Sequence, residues 1–244
     1  MKTFILEFQE RCNDVSEYLT LLGFMDSIAT NKHKSIKCES HQGSEISYIP
    51  NRECQKILRA NFYLILYNLV ESTLNSVISV VKDTINDERV SLDKLITSLI
   101  FLHIGGLYKD VTSPNRILEI SKDLYKKTAN NENVFLEELG FNTSGNVDFK
   151  FFQKIVSAIK CRGKLNIDEN RVKKAMERTK NHRNKLAHGN WSFSNAGSML
   201  TLSQIKEDYD CVVDFLDQSL HNLETFLDNK MYLKKQLTTE DINK

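Results

Sequence analysis

The stretch of this 244-residue chain whose side chains could do chemistry is Lys180-Asn181-His182-Arg183-Asn184-Lys185-Leu186-Ala187-His188-Gly189-Asn190-Trp191. An imidazole, with a reference pKa of about 6.5, moves protons near neutrality. A guanidinium grips a phosphate or carboxylate through two parallel hydrogen bonds. Val172, Met176, Thr179, Arg183 and Leu186 step by four, three, four and three, so Arg183 falls on the apolar stripe of a helix. A guanidinium there loses hydration unless an anion meets it. His188 lies five residues further on, about 140° round an ideal helix. The two side chains converge only if the helix ends between them or if two chains share the site. Gly189 suits the position just past a helix end. Cations in those last turns also complement the helix dipole, a role that needs no ligand. His182 reads as a surface histidine. Trp191 and Phe193 either anchor the chain leaving the helix or stack a base.

The charge distribution points to the same place. Net charge is +1, which excludes a global pull toward nucleic acid or anionic membrane. Residues 160–188 nevertheless hold ten Lys/Arg against three acids, while the chain from Gln204 onward holds five Lys against nine acids. A basic segment in a neutral protein implies a local anion site. Arg178, Lys180 and Lys185 are placed to follow a phosphate backbone, with Lys164, Arg171, Lys173 and Lys174 behind them. Phosphate-loop, dinucleotide, zinc-protease and serine-elbow motifs are absent. The five cysteines form no CxxC, and no His pairs with a Cys at ligand spacing. No metal and no cofactor are expected. Unpaired thiols and the lack of a leader predict a cytoplasmic protein. Leu95–Tyr108, the longest uncharged stretch, is too short to cross a bilayer, so no membrane partner is expected.

Helices must position these residues, since the chain has only nine Gly and two Pro. Phe4, Phe8, Cys12, Val15, Leu19 and Leu22 mark an amphipathic first helix. Residues 31–52 read as a surface loop with an extended piece at Glu45–Ile49. Arg52 to about Val81 is the most hydrophobic helix, with a broad apolar face, and through Phe62–Val70 it is apolar almost all round, as in a central helix. A thin polar line crosses it at Asn61, Asn68, Glu71 and Asn75. Such groups need partners, either in an inter-helix hydrogen-bond network or in the wall of a cleft. Helices follow at Ser91–Tyr108, Asn115–Lys127 and Phe149–Lys160, broken at Ser113-Pro114 and at Asn142–Asn146. The motif ends a helix over Asp168–Ala187. A last helix, over about 203–237, carries a leucine stripe able to pack internally and against a second subunit. The expected fold is all-α: an up-and-down bundle of long antiparallel helices with shorter inserted ones, forming one domain over 1–244.

Arg183-Asn-Lys-Leu-Ala-His188-Gly resembles the R-[polar]-x3–5-H signature of HEPN domains (higher eukaryotes and prokaryotes nucleotide-binding). Leu58-Arg-Ala-Asn-Phe-Tyr-Leu-Ile-Leu-Tyr-Asn-Leu-Val-Glu-Ser72 is similar to the central helix of a prokaryotic HEPN-like endoribonuclease subgroup. The likeness covers most of residues 50–237. It departs at Asn190, where some HEPN toxins carry a tyrosine that a partner nucleotidyltransferase modifies.

The resemblance implies a helical bundle that pairs as a homodimer and joins two motifs in one composite site. It implies an endoribonuclease that uses no metal, in a toxin–antitoxin or phage-defence system, with a cognate antitoxin or defence-system protein as partner. Arg183 and His188 take the catalytic positions, and Asn184 the polar position. RNA carries its own nucleophile, the 2′-OH. His188 would act as general acid or base, or orient that hydroxyl, and Arg183 would clamp the phosphate. The products would be 2′,3′-cyclic phosphate and 5′-OH ends, with DNA left uncut. Glu71, and with it Asn68 on the polar line, would orient Arg183. The alternative is a non-catalytic module that holds RNA or a partner protein through the same face. A third reading makes the motif only a helix cap in a structural dimer.

Overall fold

Phe4, Phe8, Val15 and Leu22 are buried at steps of four and seven, and residues Thr3–Thr30 wind into helix α1. The computed structural model describes residues 2–30, 35–39, 45–133, 135–137, 139–141 and 146–235. Strands β1 (Ile36–Glu39) and β2 (Glu45–Tyr48) follow as an antiparallel hairpin with Ile36 opposite Tyr48. The expected extended piece is therefore β2, and the segment read as a loop contains its partner as well. Two short strands satisfy each other's backbone groups where a bare loop would leave them to water. The rest of that segment, residues 31–34 and 40–44, lies outside the described residues.

Asn51 starts helix α2 (Arg52–Asp87), its Oδ1 accepting from the Cys54 N–H at 2.8 Å. Between Ala60 and Val70 the side chains of Phe62, Tyr63, Leu66, Tyr67 and Leu69 are all buried, more than one face of a 3.6-residue helix. α2 is long and apolar enough to cross a bilayer. Phe62, Leu66, Leu69, Leu74, Val77 and Val81 of this helix are buried, while Ile57 is exposed.

Helices α3 (Thr97–Leu107), α4 (Pro114–Ala129) and α5 (Phe149–Ile159) come next. The helix expected from Ser91 is interrupted. A 3₁₀ turn spans Leu92–Lys94, Leu95 and Ile96 are extended, and the Ile96 N–H donates to the Tyr232 carbonyl at 2.9 Å. The competing backbone partner comes from a distant part of the chain, so local periodicity could not show it. Most of the Asn142–Asn146 break lies outside the described residues.

Helix α6 (Glu169–Ala187) is capped by Asp168, whose carboxylate accepts from the N–H groups of Asn170 and Arg171. A short helix, α7 (Phe193–Ser198), was not foreseen. Its signal was Ser192, whose Oγ accepts from the Asn195 N–H, together with the small buried pair Ala196-Gly197. Gly197 has no alternative, because a Cβ there would collide with the Lys56 carbonyl of α2. The last helix, α8 (Leu202–Asp228), stops well short of the expected residue 237. Lys230 adopts φ +48°, and the Lys230 and Met231 N–H groups return to Leu227 and Phe226. That closure lets Tyr232 tuck in fully buried beside Phe226. The α8 stripe from Ile205 through Val212, Leu216, Leu220 and Leu223 is buried within the chain.

The all-α expectation stands: among the described residues the only strands are the two of the hairpin. The chain gathers into two compact units. One comprises Met1–Thr73, Asn146–Phe149 and Asn166–Asp217, and so contains α1, the hairpin, α6, α7 and the N-terminal parts of α2 and α8. The other comprises Leu74–Gly145, Lys150–Leu165 and Gln218–Lys244, with α3, α4 and nearly all of α5. The sequence reading drew no such division, because the boundaries at Thr73 and Asp217 fall inside unbroken helices. All the contacts of the motif described below lie in the first unit.

Candidate functional site

The motif is delivered by the C-terminal turns of α6. The helix runs unbroken to Ala187, with His188 as the C-cap at φ −90°, ψ 4°. Gly189 then takes φ +69°. Its N–H donates to the Leu186 carbonyl at 3.1 Å, and the Asn190 N–H donates to Lys185 at 2.9 Å. These two bonds are the Schellman closure, which needs a left-handed residue at that point. A Cβ on Gly189 would meet nothing, so Gly189→Ala tests conformation alone. It is expected to cost about 1 kcal/mol by urea denaturation.

The buried stripe of α6 passes through Val172, Met176, Thr179, His182 and Leu186. It therefore takes in His182, which the sequence reading had placed at the surface. Arg183 sits on its flank, half-buried. Residues 182 and 183 straddle the inward direction, and the flatter ring goes in. His182 is 7 % exposed; it stacks on Tyr63 at 4.7 Å between centroids and meets Trp191 edge-on at 5.4 Å. Its Nδ1 lies 2.9 Å from the Arg178 carbonyl, which can only accept, so Nδ1 carries the proton. Nε2 is buried with no partner among the described residues.

Burial holds His182 below its usual pKa of 6.5, and the Arg178 charge adds to the effect. His103 is lowered in the same way, first by burial and then by Lys127. The folded state thus binds fewer protons than the unfolded chain as the pH drops below about 6.5. Stability is full above that value and falls beneath it. Urea titrations at pH 7 and pH 5.5 should show the loss, and His182→Phe should remove part of the difference.

Arg183 is held by its neighbours. Its Nη1 donates to Asn184 Oδ1 at 2.9 Å, and its guanidinium carbon lies 4.8 Å from the centre of the Tyr67 ring. Three contacts bring the segment 146–148 against this end of α6 and α2. Asn184 Nδ2 donates to Asn146 Oδ1 at 2.9 Å, the Val147 N–H donates to the Tyr67 hydroxyl at 3.0 Å, and Lys180 pairs with Asp148 at 2.6 Å. The Tyr67 hydroxyl is pushed above its usual pKa, mainly by burial. The charges of Glu71 and Asp148 add to the shift and that of Arg183 opposes it.

The other predicted site residues are dispersed. His188 is exposed at the helix end. Because α6 is regular from Arg183 through Ala187 and His188 follows directly as its C-cap, their separation of about 140° stands. Asn68 is exposed on α2 and takes no part in these contacts. Lys185 places its Nζ 3.8 Å from the centre of Trp191. Trp191 in turn packs against the buried cluster of Ala60, Leu186 and Ala196, which is the anchoring role. Phe193 opens α7, 38 % exposed.

Arg178 requires a correction. It points inward onto Asp208, with Nε donating to Oδ2 at 2.7 Å and Nη2 to Oδ1 at 3.3 Å. Asp208, its side chain 3 % exposed, also accepts from the Tyr63 hydroxyl at 2.6 Å and from Gln204 Nε2 at 3.1 Å. A buried carboxylate needs such partners, so Arg178 serves the core. Burial, then the Asp208 charge, pushes Tyr63 far above its usual pKa.

Sequence reasoning missed Tyr63, Tyr67, Asn146, Asp148 and Asp208. The signal is present in part: Tyr63, Tyr67 and Glu71 recur every four residues along α2, within a stretch whose apolar neighbours mask the two phenols. No group of three or more His, Cys, Asp and Glu among the described residues is arranged to hold a metal.

Neither a curated protein nor a solved structure matches the chain at a significant level. A model of the HEPN_MAE_28990-like HEPN domain matches residues 2–232. HEPN domains point to RNA-related roles and are often ribonucleases. That match runs through α1, α2, the motif of α6 and the whole of α8, and by it the chain belongs to the HEPN family.

Proposed function

We propose that this protein is an endoribonuclease that needs no metal and acts as a homodimer in a cytoplasmic toxin–antitoxin or phage-defence system. The observation that carries the reading is Arg183. It is tethered by Asn184, laid over Tyr67 and flanked by the Asn146–Asp148 segment, on the helix whose exposed cap is His188.

In the proposed reaction the 2′-OH attacks the adjacent phosphorus. The 2′-O–P bond forms and the P–O5′ bond breaks. The proton of the 2′-OH passes to a base, and the departing 5′ oxygen takes up a proton. His188 serves as one of these proton carriers, and Arg183 stabilises the charge growing on the phosphoryl oxygens. Asn184 fixes the guanidinium plane, and Glu71 supplies negative charge beside it. Lys180 shapes the site through Asp148, and Lys185, exposed beside the Trp191 ring, follows the strand. The angular separation of Arg183 and His188 favours a site in which each chain supplies one of them to the other. A cognate antitoxin or defence-system protein would govern access.

Incubation with mixed cellular RNA in EDTA, followed by end-group analysis, tests the reading. Cleavage to 2′,3′-cyclic phosphate and 5′-OH ends, with DNA untouched, is the expected result. RNA binding with no cleavage would replace the enzyme by a non-catalytic module.

A further inference from the structure

α4 presents a face that the ribonuclease reading leaves unused. Only Ile120 of its sixteen residues is buried. On the opposite side Leu118, Lys122, Tyr125, Lys126 and Ala129 fall within one arc of about 100° at 100° per residue, and all are exposed. Tyr125 is 75 % exposed, more than any other large hydrophobic or aromatic side chain described. The two acids of α4 lie to one flank and are neutralised within the helix. Glu119 meets Arg116 at 3.2 Å, and Asp123 meets Lys127 at 2.8 Å. Lys122 and Lys126 have no ion-pair partner among the described residues. The face is thus a bare aromatic ring between two uncompensated cations.

A helix-dipole role explains Lys126, which lies in the last turn, but not Lys122, which lies two turns from the end. A protein-docking helix would present a run of aliphatic side chains, and lysine is depleted from the centres of such interfaces. Here Leu118 is the only large aliphatic residue in the arc. Aromatic rings alternating with cations are what a single-stranded nucleic acid engages: the ring stacks a base and the ammonium groups meet flanking phosphates.

We propose that this face of α4 is a second RNA-binding surface, with Tyr125 stacking a base of single-stranded RNA and Lys122 and Lys126 contacting its phosphates. It rests on the ribonuclease reading only for the identity of the nucleic acid. The surface raises affinity for the substrate strand and leaves the chemical step alone.

The test uses the full chain carrying His188→Ala, so that bound RNA persists, and a fluorescein-labelled single-stranded RNA followed by anisotropy. Tyr125→Ala should weaken binding roughly tenfold, within what one stacked base contributes. Tyr125→Phe should bind as the parent does. Lys122→Gln with Lys126→Gln should flatten the plot of log affinity against log salt by about 1.4, at about 0.7 per phosphate released. In the chain with native His188, the same α4 changes should raise KM for RNA cleavage and leave kcat unaltered. RNA affinity and salt slope unchanged in all the α4 variants would overturn the proposal, including the case in which they lose a protein partner instead. Cleavage that persists beside such neutral variants would leave the ribonuclease reading intact. Binding that depends on α4 without any cleavage would sink the ribonuclease reading and keep the surface.

Discussion

His188→Ala is expected to lower the rate of RNA cleavage by roughly 10²–10⁴-fold, the usual contribution of a positioned acid or base. It should do so without unfolding the protein. His188 is exposed, and the α6 closure runs through the backbone groups of Leu186, Gly189, Lys185 and Asn190. Stability should therefore stay within about 0.5 kcal/mol of the parent, as for other surface changes. Equal cleavage by parent and variant would remove His188 from the chemistry. Mixing His188→Ala with Arg183→Ala protein separates the two geometries. If each site takes Arg183 from one chain and His188 from its partner, the mixture regains activity that neither variant has. If both residues act within one chain, the mixture stays inactive. Arg183→Ala alone should cost binding as well as rate, since the guanidinium meets the phosphate before and during the reaction.

Asp208→Ala is expected to destabilise the protein by about 3 kcal/mol, read as a shift of the urea midpoint at pH 7. The carboxylate is buried and accepts from Tyr63, Arg178 and Gln204. Removing it strands a phenol hydroxyl and leaves a guanidinium without its counter-charge, and such groups are costly when buried. Replacing Arg178 by Met and Asp208 by Leu together should cost less than Asp208→Ala alone, because the double change leaves no unpaired charge. A single-variant loss under about 1 kcal/mol would mean that the network contributes little. The same experiment decides what Arg178 does. If it serves the core, Arg178→Met lowers stability and leaves the salt dependence of RNA binding as it was.

Some of this was legible because it is local. Helix α6 starts at an Asp and stops at a Gly for reasons contained in a few residues, namely side-chain capping and tolerance of positive φ. The apolar spacing of α1, α2 and α8 likewise fixes which faces turn inward, whatever they meet. Where the prediction failed, a distant partner had intervened. The Tyr232 carbonyl breaks the helix expected from Ser91. The turn at Lys230 ends α8 early without any glycine, because Tyr232 has a buried place to fill.

The candidate site divides along the same line. The sequence by itself determined that Arg183, Asn184 and His188 occupy the end of one basic, amphipathic helix, because spacing along a helix is fixed by its rise and turn. Tertiary structure alone decided that His182 turns inward and Arg183 lies over Tyr67, since two residues straddling the inward direction are sorted by the shape of what they pack against. It also decided that Arg178 neutralises Asp208 and that Lys180 pairs with Asp148. The partner of a charge is set by packing between segments far apart in the chain, and no local spacing records it.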